Sequence, residues 1–131
     1  MALMRARESV MSRFRPILAE YGLTEQQWRV LRALAAADKP LSVGELAEQT
    51  LLLGPSLSRM LASMERRALI DRTSARTDAR RAQVTITRRG LELVTRIGPE
   101  SEAAYGELES ELGPDELETL HQLLDRVAAM S

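Results

Sequence analysis

The chain contains no cysteine and a single histidine, His121. The lack of cysteine excludes a disulfide framework, a thiol redox sensor and any cysteine-based zinc site. One imidazole is too few for an all-protein transition-metal cage. No cofactor is expected, although a surface site pairing His121 with carboxylates stays open. Aromatic residues are also scarce: one Phe, one Trp and two Tyr in 131 residues. That scarcity, beside abundant Leu, Ala, Arg and Glu, favours a mainly α protein. No apolar run approaches the ~20 residues of a membrane span. The opening MALMRARESV lacks the apolar core of a signal peptide. A soluble cytoplasmic protein with no membrane partner is expected. Gly-rich phosphate loops and acids at a catalytic spacing are missing too, which disfavours an enzyme. The length suits one compact domain, 1–131, with a real core.

A net charge of −1 argues by itself against nucleic-acid binding. The distribution of charge argues the other way. Residues 59–89 carry nine arginines against three acids, whereas residues 90–131 carry two arginines against ten acids. A basic segment with an acidic remainder is the electrostatic footprint of a binding face for a polyanion.

Taken in order, Leu3, Val10, Phe14, Ile17 and Tyr21 recur at helical spacing. Pro16 inside that stretch predicts a kink or break, and Gly22 a C-cap. Arg7, Arg13 and Arg15 interleave with the apolar stripe. They are either snorkelling stems or, for Arg7 and Arg15, inward-turned anion binders. Thr24 followed by Gln27 is a capping-box pattern, opening a helix to Ala36 with Trp28, Val30, Leu31 and Leu34 inward. Leu41-Ser42-Val43 predicts a minimal strand, and Ser42 caps a helix from Gly44 to Gln49. The apolar linker Leu51-Leu52-Leu53 is expected to be buried. Gly54 at the cap and Pro55 at the first helical position start the next helix.

That helix is the candidate reader. Leu57, Met60, Leu61 and Met64 share one face; Pro55, Arg59, Ala62 and Arg66 point the other way, flanked by Ser56, Ser58 and Ser63. Small hydroxyls and an arginine let a helix approach DNA closely, Ser bonding phosphates and Arg forking onto guanine. An ordinary surface helix is the competing reading. Ala68–Thr73 and Gln83–Thr87 then read as two strands joined by a loop carrying Arg76, Asp78, Arg80 and Arg81. A basic hairpin tip suits the negative potential of a narrow minor groove, with Asp78 holding one arginine in a single rotamer. A further helix begins near Thr87 with Leu91, Val94, Ile97, Ala104, Leu108 and Leu112 inward. Gly98-Pro99 predicts an interruption near Ser101. Gly113-Pro114 separates a last helix, whose Leu117, Leu120, Leu124 and Val127 form a seam for another helix.

The expected architecture is α+β: a winged helix-turn-helix part, 24–87, with dimerisation helices at 1–22 and 88–131. On a monomer the terminal stripes would be exposed. Pairing them across a two-fold axis buries both and presents two readers to half-sites about 34–36 Å apart on a palindromic duplex. Folding back within one chain is the competing explanation.

This order of elements resembles the MarR family of winged helix-turn-helix regulators over nearly the whole chain. Carrying the resemblance are Leu46-Ala47, the run Ser58-Arg59-Met60-Leu61 through Met64-Glu65 to Leu69-Ile70, and the wing Asp78-Ala79-Arg80 followed by Val84-Thr85-Ile86-Thr87 and Gly90. Ala6-Arg7-Glu8, Met11-Ser12, Phe14-Arg15-Pro16-Ile17, Leu23-Thr24-Glu25-Gln26-Gln27-Trp28-Arg29 and Pro55-Ser56-Leu57 look like the branch that regulates homoprotocatechuate degradation operons. The opening on Gly54-Pro55 departs from the commoner family pattern, so base contacts of other branches are not carried over. The resemblance implies a homodimeric repressor of an aromatic-catabolism operon, released from double-stranded DNA by a small phenolic carboxylate. A different inducer, or none, is the alternative, with stress or efflux control. Arg7 and Arg15 then become candidates for the carboxylate, with Met11, Phe14 and Trp28 as the apolar wall. Trp28 alone reads more readily as a plain core residue than as a direct contact, and His121, which could face that site from the last helix, more readily as a solvated one. The DNA contacts expected are Pro55, Ser56, Ser58, Arg59, Ser63, Arg66, Arg76, Arg80 and Arg81.

Overall fold

The computed structural model describes residues 1–73 and 79–130. Arg76 and Asp78 lie outside the described residues. Elsewhere six helices and three short strands follow in the order α1 (Ala2–Glu20), α2 (Glu25–Ala37), β1 (Leu41–Ser42), α3 (Val43–Thr50), α4 (Gly54–Arg66), β2 (Ile70–Thr73), β3 (Gln83–Ile86), α5 (Arg88–Leu112) and α6 (Pro114–Ala128). A single 3-10 turn, Ala79–Arg81, leads into β3.

Local chemistry explains most boundaries. After α1, Gly22 takes a left-handed φ of 69°. Gly22 N–H then donates to Ala19 O and Leu23 N–H to Leu18 O, a pair of hydrogen bonds that closes the helix end. Leu18 and Leu23 both enter the core. Capping boxes open α2 at Thr24/Gln27 and α3 at Ser42/Glu45. Thr87 Oγ1 accepts from Gly90 N–H at the start of α5. Each such cap is worth about 1 kcal/mol. The end of α4 reuses the first device: Ala68, at φ 60°, and Leu69 bond back to Glu65 O and Met64 O. That reversal aims the chain from helix into strand.

Several expectations need correction. Neither proline ends its helix, since α1 runs unbroken through Pro16 and α5 through Pro99. A proline removes one bond to the carbonyl four residues back. Buried neighbours hold the helices across the gap: Phe14 and Leu18 in α1, Ile97 and Ser101 in α5. The linker after α3 is not buried. Leu52 packs against the core, whereas Leu51 is 84% and Leu53 78% exposed. Leu51 sits in the left-handed region (φ 59°), and the resulting bend leaves only the middle leucine facing inward. The start of α4 falls one residue early, with Leu53 as N-cap and Pro55 second in the helix. Both strands of the hairpin are shorter than their apolar patterns suggest, and Leu91 faces solvent.

The sheet is antiparallel in the order β1-β3-β2. Leu41 pairs with Val84, and Ile70 with Ile86. One core joins the elements: Leu31 and Leu34 of α2, Leu46 of α3, Leu57, Leu61 and Met64 of α4, Ile70 and Val84 of the sheet. Burying each such side chain contributes ~1.5–3 kcal/mol. Leu18 of α1 and Ile97 of α5 belong to the same core. The terminal stripes are thus divided. Their inner ends pack on the sheet and helices, while Leu3, Met4, Leu120, Leu123, Leu124 and Val127 stay exposed. No residue of α6 is buried.

Candidate nucleic-acid interface and effector cleft

In α4, Leu57, Leu61 and Met64 are buried, which fixes the rotation of the helix. Pro55, Ser56, Ser58, Arg59 and Arg66 are consequently exposed, and Ser63 is half-buried at the edge. Six of the nine residues singled out as DNA contacts therefore lie on or beside one outward helix surface. Arg80 and Arg81 occupy the turn before β3 and are exposed. Arg80 is bent back toward α3: a Cβ on Gly44 would come within 3.2 Å of Arg80 Nη2. Arg72 of β2 pairs with Glu65 of α4 at 3.4 Å, fastening the hairpin to the helix.

Behind this surface, α1, α2 and α5 enclose a cleft of about 290 Å³. Arg7, Met11, Phe14 and Trp28 line it together, four of the five residues singled out for an effector. Arg15 does not line it. Its guanidinium is engaged by Glu8, with Nη2 3.0 Å from Oε2, and stands 4.0 Å from Glu25 Oε2. Arg15 holds the Glu8 carboxyl below the usual carboxylate range through that hydrogen bond.

The cleft also contains groups not singled out beforehand: Glu25, Arg29, Arg32 and, from α5, Ser101 and Tyr105. Arg32 stands one helical turn from Trp28, with its guanidinium carbon 6.0 Å from the ring centroid. That spacing is readable in sequence. The contribution of α5 is not, because more than seventy residues separate Trp28 from Ser101. Phe14 meets Tyr105 edge-on at 5.1 Å between centroids, and Arg13 pairs with Glu107 at 3.4 Å; both contacts tie α1 to α5.

Charge in the cleft is uneven. Arg7 donates to Glu25 Oε1 at 2.8 Å, and Arg29 donates to Thr50 O at 2.7 Å. Three arginines face one carboxylate, leaving the cleft net positive. Glu25 Oε2 is buried without a hydrogen-bond partner among the described residues. That oxygen faces Arg15 Nη2 at 4.0 Å, on the side away from the cleft, so the carboxylate is held between Arg7 and Arg15. The cleft thus sets surplus positive charge beside an apolar, aromatic wall. Beyond the cleft, Tyr21 donates to Glu100 Oε2 at 2.8 Å, and this bond raises the phenol pKa. His121 is exposed on α6, outside the cleft. Among the described residues no group of three or more acids and imidazoles could hold a metal ion, and no helix is long and apolar enough to cross a membrane.

A helix-turn-helix, α3 and α4, followed by a small antiparallel sheet, defines the winged helix-turn-helix class of DNA-binding proteins. Comparison with known proteins narrows the class. The MarR family model matches residues 21–81. The homoprotocatechuate degradative operon repressor of Escherichia coli is 36% identical over 129 residues, covering 98% of this chain and 86% of that protein. The crystal structure of NadR in complex with 4-hydroxyphenylacetate superposes with a TM-score of 0.87 at 35% identity, over 98% of this chain and 93% of NadR. The transcriptional repressor CouR, bound to a 23-mer DNA duplex, gives a TM-score of 0.86 at 29% identity, over 97% and 89% of the two chains. The chain belongs to the MarR family of transcriptional regulators. The relatives it matches are transcriptional regulators, not enzymes.

Proposed function

We propose that the protein is a homodimeric, sequence-specific repressor of an aromatic-acid catabolic operon, of the homoprotocatechuate or hydroxyphenylacetate type, released from a palindromic operator by a small phenolic carboxylate. The observation that carries the effector is the cleft between α1, α2 and α5. It joins arginines for a carboxylate and an apolar, aromatic wall for a ring. The resemblance to the Escherichia coli operon repressor and to NadR with its 4-hydroxyphenylacetate supports the same class of ligand. Arg7 is the exchangeable member of the site. Its partner is Glu25, and an incoming carboxylate competes for it. Met11, Phe14 and Trp28 supply apolar contact, and Arg15 acts from outside by drawing on Glu25. Because α1 and α5 extend from the core toward the exposed terminal seams, a guest wedged between them and α2 alters the angle between dimer arms and readers.

Residues 24–87 form the DNA-binding part in this reading, and 1–22 with 88–131 the dimerisation helices. The exposed leucines of α6 are the surface that a second copy would cover. On DNA, Pro55, Ser56, Ser58 and Arg59 lie at the bases. Ser63 and Arg66 serve phosphates, and Arg76, Arg80 and Arg81 add affinity through the wing. A repressor answering to a different inducer, or to none, is the second reading. It is favoured by Arg7 already having a carboxylate partner in the cleft.

The test is a titration of 4-hydroxyphenylacetate into the protein bound to the duplex DNA beside its own gene, followed by gel shift and by Trp28 fluorescence. Release accompanied by a fluorescence change is expected. DNA binding that persists at saturating acid, with Trp28 emission constant, would overturn the effector reading and leave the second one standing.

A further inference from the structure

Two neighbouring residues break the local preferences of the chain in the same exposed turn. Leu51 closes α3 in the left-handed region, at φ 59° and ψ 31°. For a residue with a branched side chain this conformation is costly, and glycine or asparagine is the usual occupant. Leu53 is the N-cap of α4 and offers no side-chain acceptor to the first turn. The N-caps of α2, α3 and α5 are hydroxyl residues that accept a backbone N–H, whereas α1 and α6, like α4, start without a side-chain cap. Both leucines are also largely solvent-exposed, at 84% and 78%. Each position therefore has a wrong residue for stability and a wrong residue for solubility, and little of either side chain is buried to offset this. Where local rules fail together without compensation, function is the usual cause.

The place of the turn says what the leucines meet. Leu53 immediately precedes Gly54, Pro55 and Ser56, the exposed opening of α4. Its carbonyl already accepts from Leu57 N–H at 2.8 Å, so its backbone is held by the helix. In helix-turn-helix proteins the first residues of the second helix reach base edges in the major groove. The apolar group displayed on that groove floor is the 5-methyl of thymine. We propose that Leu53 is a specificity residue that reads a thymine methyl in each half-site. Leu51 flanks it and covers the neighbouring deoxyribose. The inference rests on α4 being the DNA reader, and adds a base preference to it. Arg59, one to two turns further along α4, is left to read a guanine.

The experiment uses the full chain and duplex DNA. Sequences bound by the wild type are selected from a random duplex library. Each thymine of the consensus is then replaced singly by uracil, which removes only the methyl. One thymine per half-site is expected whose replacement weakens wild-type binding roughly fourfold, the scale of one buried methyl-sized group. The variant Leu53→Ser should lose that sensitivity and select without preference at the position. Because Ser is a good N-cap, Leu53→Ser should also melt about 3–6 °C higher. Affinity and stability thus move in opposite directions, which a structural role for Leu53 cannot produce. Equal uracil sensitivity in Leu53→Ser and wild type, or a lowered melting temperature with unchanged selection, would overturn the proposal. Failure of the wild type to select any sequence at low salt would instead remove α4 as reader, and the inference with it. Selection of a consensus lacking thymine would refute Leu53 while leaving α4 in place.

Discussion

Gly90 offers a stringent check on how α5 is seated. It lies in the first turn of the helix, where replacement by alanine ordinarily stabilises by about 1 kcal/mol. The surroundings reverse that expectation. A Cβ at position 90 would stand 2.4 Å from Leu69 O and 2.7 Å from Ile86 Cγ1. The first neighbour is backbone and cannot swing aside. It is also pinned, because Leu69 O accepts from Thr87 N–H at 3.1 Å, and Thr87 Oγ1 donates to Ala68 O at 2.7 Å. Relieving the overlap means pushing α5 away from the base of the β2–β3 hairpin. Overpacking of this kind costs roughly 1–3 kcal/mol. A lost or stretched Thr87–Leu69 bond adds about 0.5–1.5 kcal/mol. Set against the propensity gain, Gly90→Ala should destabilise by roughly 1–3 kcal/mol. With a urea slope of about 1–3 kcal/mol per molar, the midpoint should fall by on the order of 1 M. Trp28, the single tryptophan and a buried one, reports the transition. Protein concentration must be held constant, since self-association of the kind proposed would couple to folding. Gly106 is the control in the same helix: no atom lies within 4 Å of its Cβ position, so Gly106→Ala should be neutral or stabilising. A Gly90→Ala midpoint equal to or above wild type would refute the close approach of α5 to the hairpin.

Further outcomes follow from individual contacts. Ser42→Ala removes the acceptor for Glu45 N–H and should cost about 1 kcal/mol, measurable in the same unfolding assay. The Glu45 carboxyl is held below its ordinary value by the Ser42 backbone N–H. Its contribution is therefore present above the unfolded carboxylate pKa and lost as pH falls through the depressed folded value; Glu45→Gln, compared with wild type across that acid range, should flatten the loss. Arg59→Ala should weaken binding to a selected operator by about 1–3 kcal/mol and relax selection at one base pair, whereas unchanged selection would remove Arg59 from base reading. Arg32→Ala should raise the 4-hydroxyphenylacetate concentration needed for release by about tenfold or more, the scale of a charge-assisted bond; an unaltered titration would place the carboxylate elsewhere in the cleft.

Much of this architecture was legible because it is locally encoded. Thr24 with Gln27, Ser42 with Glu45, and Thr87 announce helix starts through hydrogen bonds made within three residues. The spacing of Leu57, Leu61 and Met64 states which side of α4 is buried, and so which side carries Ser56, Ser58 and Arg59. Prolines misled because their cost is local, whereas Phe14, Leu18 and Ile97 offset it across the fold. The Leu51–Leu53 linker misled for the opposite reason. Hydropathy counts three leucines alike, but the left-handed bend at Leu51 sends only Leu52 inward.

The sequence by itself determined the helices, the position of the wing strands, the basic character of residues 59–89 and the apolar stripes, all consequences of short-range chemistry and periodicity. Tertiary structure alone decided the cleft. Arg7 comes from α1, Trp28 and Arg32 from α2, and Tyr105 from the far end of the chain in α5, and no spacing rule relates one helix to the next. Whether an arginine lines that cleft or turns to another acid, as Arg7 and Arg15 do on the same helix, depends on the carboxylates that packing happens to bring beside each. Periodicity states which face of a helix is buried; only the packing of α1, α2 and α5 against one another states what is left between them.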